Sequence, residues 1–264
     1  FNENMLNMIN WELEISASLP EAIKNHDLVA FYQPKIDTQP LKIIGGEALV
    51  RWKQSNGRYL APDQFIPILE KNGQIIDVDY YIYREVFTFI HNHIIEGRPI
   101  VPISMNVSRV HLLSHDFLRY IKSLFDEFPI PPRLVEFELT ESIYIRNSDE
   151  ALILVNGLHE MGCKVSMDDF GTGYSSLNML GAIPIDTIKL DKAFLKEDFS
   201  DNDKIIISSV IDMSKKLNMH SICEGVETES QIAYLKDAGC DEQQGYYFSR
   251  PVPGEAFDAL LENN

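Results

Sequence analysis

The sequence predicts an α/β fold, and its pattern favours a (β/α)8 barrel whose first strand departs from the regular order. Eight short apolar segments have the length and composition of β-strands, at residues 28–35, 43–52, 101–107, 134–140, 164–168, 187–190, 221–224 and 243–248. The last six alternate with helical patterns, such as residues 149–161 and 204–217, which is typical of a parallel sheet. Eight strands in this length favour a closed barrel, with a doubly wound open sheet as the alternative.

The beginning of the barrel does not follow the regular alternation of strand and helix. Only a turn-like interval at residues 37–40 separates the first two strands, so no crossover helix fits and the two strands should pair antiparallel. Helices are predicted at residues 10–25, at residues 63–71 with Asp63 as N-cap, and at residues 74–96 before Gly97. We expect residues 1–27 to form an N-terminal helix or linker and residues 28–264 to form the barrel domain.

Composition limits the possible partners. The 264 residues are 45% hydrophobic and 24% charged, which is ordinary for a globular chain. The formal net charge is −17, from 40 acidic and 23 basic residues. Such a surface repels duplex nucleic acid and anionic lipid, so we expect neither as a partner. A small anionic ligand stays possible where cations are recruited locally.

The cysteines and the ends of the chain bear on its location. Cys163, Cys223 and Cys240 are widely spaced and form no CxxC pair, which indicates a reducing compartment rather than a disulfide framework or a zinc site. No apolar run has the length of a membrane span, and the N-terminus has no signal-peptide pattern. Because the chain begins without Met, we expect a cytoplasmic domain cut from a longer protein, which leaves open a membrane anchor elsewhere in that protein.

Polar side chains stand at or near the carboxyl ends of the predicted strands. They are Glu47 and Arg51 on strand two, Asn106 on strand three, Glu138 with Glu141 just beyond strand four, Asp168 and Asp169 on strand five, Lys189 on strand six, Glu224 on strand seven and Gln244 on strand eight. Each one alone is more often structural than functional. Because parallel strands of a barrel end at one face, together they predict an active site at the carboxyl-end mouth.

The chemistry of these side chains indicates a metal site. The carboxylates are Glu47, Glu138, Asp168, Asp169 and Glu224, and Asn106 adds an amide oxygen. Oxygen ligands suit Mg²⁺ or Mn²⁺, with Ca²⁺ geometrically possible, and cations would offset the repulsion within the adjacent Asp168–Asp169 pair. An aspartate shared by two metals is typical of phosphate-ester hydrolysis. Lys189 would add a fixed cation near the attacking water or a phosphate oxygen, and Arg51 a planar fork for phosphate.

Other common catalytic patterns are missing. The seven histidines fall mostly in helical or connecting stretches, and we interpret them as surface or rim residues. No serine lies in a GxSxG elbow. The Gly171-Thr172-Gly173 stretch lacks the third glycine of a dinucleotide fingerprint, because Ser176 stands at that position.

Seven motifs occur in an order and spacing that resemble the EAL-domain family of cyclic di-GMP phosphodiesterases. They are EALVRW, MNVS, ELTES, DDFGTGYSSL, IKLD, EGVET and QGYYFSRP. The resemblance runs from Phe31 to Pro253, nearly the whole chain. It implies a modified (β/α)8 barrel with an antiparallel first strand. It also implies hydrolysis of one phosphodiester bond of cyclic di-GMP to linear 5′-pGpG with Mg²⁺ or Mn²⁺ at a two-metal site.

The resemblance also implies a role for each residue of the site. One metal would be held by Glu47, Asn106, Glu138 and Asp168, and the second by Asp168 and Asp169 with help from Glu224. Lys189 and Glu224 would orient and deprotonate the attacking water, and Glu47 is counted with them as catalytic. Gln33 and Arg51 would contact guanine and phosphate, Leu49 would pack on the ligand, and Gln244 would be a supporting polar contact. Glu141 would anchor the loop at residues 169–176.

The predicted ligand set is complete, which favours an enzyme. Two departures from the family pattern, the turn at residues 53–57 and the absence of Trp from residues 80–83, lie away from the predicted ligands. The alternative is a non-catalytic cyclic di-GMP receptor or regulatory module within a longer signalling protein, and a vestigial site is a third possibility. The resemblance further implies a homodimer and fusion to other signalling domains.

Overall fold

The structure is a computed structural model that describes residues 3–113, 116–146, 148–171, 180–181, 183–195 and 200–264. In this part of the chain the strands form one sheet. They are β1 (Leu28–Asp37), β2 (Ile43–Lys53), β3 (Tyr59–Leu60), β4 (Ile103–Asn106), β5 (Val135–Thr140), β6 (Lys164–Phe170), β7 (Thr187–Leu190), β8 (His220–Cys223), β9 (Glu242–Gln243) and β10 (Val252–Pro253).

Eight of these strands close into a barrel. The order β1-β9-β8-β7-β6-β5-β4-β2 returns to β1, while the two-residue strands β3 and β10 extend β2 and β1. All neighbours from β2 to β9 pair parallel, and β1 runs antiparallel to both β2 and β9. The predicted barrel with an antiparallel first strand is therefore confirmed.

The helices lie outside the barrel. Their described members are α1 (Glu3–Lys24), α2 (Pro62–Asn72), α3 (Ile75–Glu96), α4 (Asp116–Glu127), α5 (Glu141–Arg146), α6 (Ser148–Glu160), α7 (Asp201–Lys216), α8 (Glu229–Ala238) and α9 (Gly254–Glu262). The apolar core fills the space between strands and helices, and α1 contributes Ile15, Leu19 and Ala22 to it. None of the helices in the described part of the chain combines the length and the apolar character that a membrane span requires.

The last predicted strand is wrong beyond residue 243. The chain leaves the sheet after Gln243 and turns, and Phe248 N donates to Gly245 O at 3.1 Å. Two backbones come very close at this turn: a Cβ on Gly245 would lie 2.1 Å from Val226 O. Only glycine fits this contact, and a strand pattern that ignores tertiary neighbours does not reveal it.

Two further predictions need correction. Asp63 does not cap α2, because the helix begins at Pro62 and the Gln64 side chain accepts a hydrogen bond from Ala61 N at 2.9 Å. The histidines are not all surface or rim residues, since His93 and His111 are each 1% exposed. Each has a carboxylate partner distant in sequence: His93 Nε2 lies 2.8 Å from Asp258 Oδ1, and His111 Nε2 lies 2.8 Å from Asp79 Oδ2.

Candidate active site

Lys189 lies at the centre of the barrel mouth. The side chain projects inward from β7, whose four residues are all buried, and the whole residue is 0% exposed. Its Nζ contacts four carboxylates that come from four other parts of the barrel: Glu138 Oε2 at 2.5 Å, Glu224 Oε1 at 2.6 Å, Asp168 Oδ1 at 3.1 Å and Glu47 Oε2 at 3.6 Å. The structure thus brings together acidic residues up to 177 positions apart in the sequence.

The charges in this cluster depend on one another. Burial opposes the charge of Lys189, but the surrounding carboxylates outweigh burial and hold its pKa well above its usual range. Burial would likewise raise the pKa of Glu138, yet the ammonium groups of Lys189 and Lys35 lower it to about 2. Both groups are therefore charged at neutral pH.

Glu224 and Glu47 respond in the opposite direction. The Glu224 side chain follows β8 and is 21% exposed. Burial, assisted by repulsion from Asp168 and Glu47, raises the pKa of Glu224 to about 8 despite the nearby Lys189. Burial and repulsion from Glu138 also raise the pKa of Glu47. The cluster holds more negative charge than one ammonium group can neutralise. Protonation of Glu224 and Glu47, which the raised pKa values favour, reduces this negative charge.

A network of side-chain amides orients Glu47. Asn106 Nδ2 donates to Glu47 Oε1 at 3.0 Å, and Gln244 Nε2 donates to Glu47 Oε2 at 2.7 Å and to Gln33 Oε1 at 3.1 Å. Tyr83 Oη donates to the backbone oxygen of Asn106 at 2.9 Å, which fixes the end of β4. Glu47, Asn106, Gln33 and Gln244 are thus one connected group at the mouth.

The adjacent aspartates end β6. Asp168 is buried. Its Oδ1 lies near Lys189 Nζ, but this oxygen accepts no well-directed hydrogen bond from the described residues. Asp169 is half-buried and adopts a φ of 55°, a left-handed conformation that costs a non-glycine residue about 1 kcal/mol. Burial, together with the charges of Asp168 and Asp191, raises the pKa of Asp169.

Glu141 lies at the base of the loop that follows these aspartates. It is buried at the start of α5, and its Oε2 accepts a hydrogen bond from Gly171 N at 3.0 Å. The predicted anchoring role concerns residues 169–176, of which residues 172–176 lie outside the described part of the chain. Of this predicted loop anchor, the structure describes only the hydrogen bond between Glu141 and Gly171.

A cavity of about 260 Å³ opens above the cluster. Its lining includes Gln33, Glu47, Leu49, Asp168, Lys192, Glu224, Gln244 and Tyr246. Arg51 does not line it: the guanidinium donates to Val50 O at 2.8 Å and lies 5.7 Å from the centre of the Phe31 ring. Because side chains alternate along a strand, Glu47, Leu49 and Arg51 share one face of β2, with Arg51 farthest out from the cavity.

Sequence reasoning missed several residues near the site. Lys35 and Glu136 lie buried beneath the mouth, and Lys192 and Tyr246 line the cavity. A period of two along the strands could have identified the buried pair, since Lys35 shares a face with Gln33 and Glu136 shares a face with Glu138. Lys192 and Tyr246 lie in connecting segments, where the sequence has no periodicity to indicate direction.

The residues at the mouth fit divalent cations chemically. The donors are all oxygens. When all five carboxylates at the mouth are ionised, Lys189 leaves four negative charges uncompensated there, which two divalent ions would neutralise. Asp168 Oδ1 is a buried oxygen without a well-directed donor. Within the described ranges, no three acidic, histidine or cysteine side chains are already arranged as a metal-binding group. Instead, Lys189 Nζ lies at the point where the carboxylates converge.

Comparison with known proteins places the chain in a family. The EAL domain model matches residues 16–251. The chain is 37% identical over 239 residues to the probable cyclic di-GMP phosphodiesterase PdeG of Escherichia coli, covering 89% of this chain and 46% of the relative. It is 32% identical over 262 residues to the cyclic di-GMP phosphodiesterase NbdA of Pseudomonas aeruginosa, covering 99% of this chain and 34% of the relative.

A solved structure gives the same result. The PaMucR phosphodiesterase in complex with c-di-GMP superposes with a TM-score of 0.86 at 32% identity, covering 92% of this chain and 99% of that one. The chain spans less than half the length of PdeG or NbdA. A family model over nearly all of the chain, curated relatives above 30% identity and a shared barrel lead to one conclusion: this chain belongs to the EAL domain family.

Proposed function

We propose that this chain hydrolyses cyclic di-GMP to linear 5′-pGpG and requires two divalent cations, Mg²⁺ or Mn²⁺. The observation that carries the proposal is the convergence of Glu47, Glu138, Asp168 and Glu224 on Lys189 at the mouth of an EAL-family barrel. Relatives named as cyclic di-GMP phosphodiesterases support the choice of substrate.

The acidic residues would hold the two cations. Glu47, Asn106, Glu138 and Asp168 would bind one, and Asp168 and Asp169 the other, with Glu224 beside it. When bound, such ions supply Lewis-acid stabilisation of charge on the phosphate and favour ionisation of water. The orientation of Glu47 by two amide donors serves this purpose, because it fixes both carboxylate oxygens before a cation arrives.

Glu224 is the residue that we assign to proton transfer. A carboxyl group whose pKa lies near neutrality combines adequate basicity with a fraction already ionised at the working pH. Burial raises the pKa of Glu224 to about 8 in the cation-free site, and the 2.6 Å contact with Lys189 holds the carboxylate in place. Lys189, held by Glu138 and Glu224, would orient the attacking water.

The cavity lining would position the nucleotide. Gln33 and Gln244 present amides at one side, Leu49 provides an apolar surface, and Lys192 adds a cation at the rim. Arg51, farther out along β2, would contact a phosphate. These cations matter because the cyclic dinucleotide is a dianion and the chain carries a net charge of −17.

Turnover of cyclic di-GMP with Mg²⁺ or Mn²⁺, resolved by chromatography and mass spectrometry, tests the proposal. We expect linear 5′-pGpG from the parent, and a loss of about 100-fold or more in kcat for Glu47→Gln, which keeps the shape of the side chain and removes its charge. Glu96→Gln is the matched control, since Glu96 is an exposed carboxylate remote from the mouth. A folded parent that yields no product with either cation would contradict the proposal.

A non-catalytic cyclic di-GMP receptor is the second candidate. It is favoured by the ammonium of Lys189 at the centre of the cluster, because this ammonium already offsets part of the negative charge that the nucleotide phosphates would meet without further cations. Calorimetry separates the two. Tight binding with no product, even with Mn²⁺ and at concentrations that favour dimers, would identify a receptor.

The context of the chain is also proposed rather than established. We infer that residues 28–264 form the catalytic domain of a longer signalling protein, with residues 1–27 leading into it, and that the domain acts as a homodimer. The limited share of PdeG and NbdA that the chain spans supports the first part. Sedimentation equilibrium of this chain, with and without nucleotide and Mg²⁺, tests the second.

A further inference from the structure

A second lysine lies inside the barrel, beneath the site. Lys35 projects from β1 on the same face as Gln33, and it is only 2% exposed. An ammonium group so far from water needs compensating charges, because the free energy of burying an isolated ion is strongly unfavourable. Its partners therefore show what the side chain does there.

Lys35 contacts the back of a carboxylate that belongs to the mouth. Lys35 Nζ donates to Glu138 Oε1 at 2.9 Å, while Lys189 Nζ donates to Glu138 Oε2 at 2.5 Å. Each oxygen of Glu138 thus has its own ammonium partner, one below the cluster and one within it. Glu138 itself is 1% exposed, so water does not replace either partner.

Glu136 fixes the lower ammonium in turn. Lys35 Nζ donates to Glu136 Oε2 at 3.3 Å, and Glu136 Oε1 accepts a hydrogen bond from Ser166 Oγ at 2.7 Å. Glu136 and Glu138 share one face of β5, and Ser166 lies on the neighbouring strand β6. The lysine is held from two sides, which restricts the rotation of Glu138 about its last torsion.

We propose that Lys35 is a positioning residue that turns Glu138 Oε1 away from the mouth, so that Glu138 offers a divalent cation one oxygen and not two. The inference rests on the proposed function, in which Glu138 is a cation ligand. A carboxylate limited to one oxygen leaves a coordination position for water or a phosphate oxygen, which hydrolysis needs.

Loss of Lys35 should strengthen cation binding and slow the reaction. Removal of the Lys35 ammonium from beside Glu138 lowers the repulsion that a divalent ion meets at the mouth. Glu138, freed from Lys35, could then present both oxygens to the ion. For Lys35→Met we expect the Mn²⁺ dissociation constant to fall about threefold or more. We expect kcat to fall about tenfold or more while KM changes less than about twofold, because the nucleotide contacts are unaltered.

Two further variants make the comparison sharp. Glu96→Gln is the matched control, because Glu96 is an exposed carboxylate remote from the mouth, so we expect parental Mn²⁺ affinity and kcat. Lys35→Met leaves the buried negative charge of Glu136 without its ammonium partner, and the double variant Lys35→Met/Glu136→Gln removes that charge as well. The double variant is used in place of Lys35→Met if the single variant fails to fold. Mn²⁺ binding is measured without nucleotide from the electron paramagnetic resonance signal of free Mn²⁺, and circular dichroism verifies folding.

A crystal structure of the parent with Mn²⁺ provides a test that needs no variant. We expect Glu138 Oε2 on the ion and Oε1 still on Lys35 Nζ. Both Glu138 oxygens on the ion would overturn the inference, as would a folded Lys35 variant with parental or weaker Mn²⁺ affinity or with parental kcat. A parent that binds no Mn²⁺ and forms no product overturns the proposed function itself, which is a distinguishable result.

Discussion

Replacement of Lys189 by methionine tests whether the mouth is built to hold cationic charge. In the parent, Lys189 Nζ lies within 3.6 Å of Glu138, Glu224, Asp168 and Glu47. Methionine has a similar length and no charge, so Lys189→Met leaves the carboxylates facing one another. Protonation relieves part of the repulsion, but Glu138 resists it, because Lys35 still stabilises its ionised form.

The expected loss of stability is large when divalent cations are absent. Removing one partner of a buried ion pair costs about 3–5 kcal/mol, since it leaves an uncompensated buried charge. Divalent cations bound between the carboxylates replace the missing ammonium. Mn²⁺ stabilises the parent too, so the difference in unfolding free energy shrinks only through the ratio of the two dissociation constants. We expect the variant to bind about 30-fold more tightly than the parent, which recovers about 2 kcal/mol.

The assay is urea unfolding of Lys189→Met and of the parent, with EDTA and with saturating Mn²⁺. We expect the difference in unfolding free energy to shrink by about half or more when Mn²⁺ is present. Lys216→Met is the control, because Lys216 is 77% exposed and its pair with Asp212 contributes little. If Mn²⁺ stabilises the variant no more than the parent, or if the variant is as stable as the parent in EDTA, the reasoning about charge at the mouth is wrong.

Three other outcomes follow from the structure. Gly245→Ala should lower stability by about 2 kcal/mol or more and reduce turnover, because its Cβ would meet the backbone of Val226; thermal melts and initial rates measure this. Lys192→Met should raise KM about threefold or more with kcat nearly unchanged, since its exposed side chain meets substrate at the rim and not the reacting bond. The three cysteines should resist Ellman's reagent at pH 8 until urea is added, because all three are buried. Burial also raises the pKa of Cys163 to about 12, so little of the reactive thiolate is present at pH 8.

The features that the sequence predicted well depend on local pattern and topology. The antiparallel pairing of β1 with β2 follows from a connection too short for a helix. The gathering of Glu47, Glu138, Asp168 and Lys189 follows because parallel strands of a barrel end at one face. Neither conclusion requires knowledge of distances.

The features that the sequence did not predict depend on tertiary partners. Buried His93 has its polar partner in Asp258, 165 residues away, and a helical histidine alone gives no indication of this. The turn after β9 includes the close contact between Gly245 and Val226, which joins segments distant in the sequence. Lys35 and Glu136 carry no strand-end signal in the sequence, because they lie one layer deeper in the barrel than the residues of the mouth.

Anomalous X-ray scattering from a crystal soaked with Mn²⁺ and cyclic di-GMP tests the central claim most directly. We expect two manganese peaks at the carboxyl-end mouth, both within coordination distance of Asp168, with the phosphate of the nucleotide or its product against them. Saturating Mn²⁺ that gives no peak at the mouth, or peaks only at surface carboxylates, would contradict the claim that these strand ends form a cation-dependent hydrolytic site.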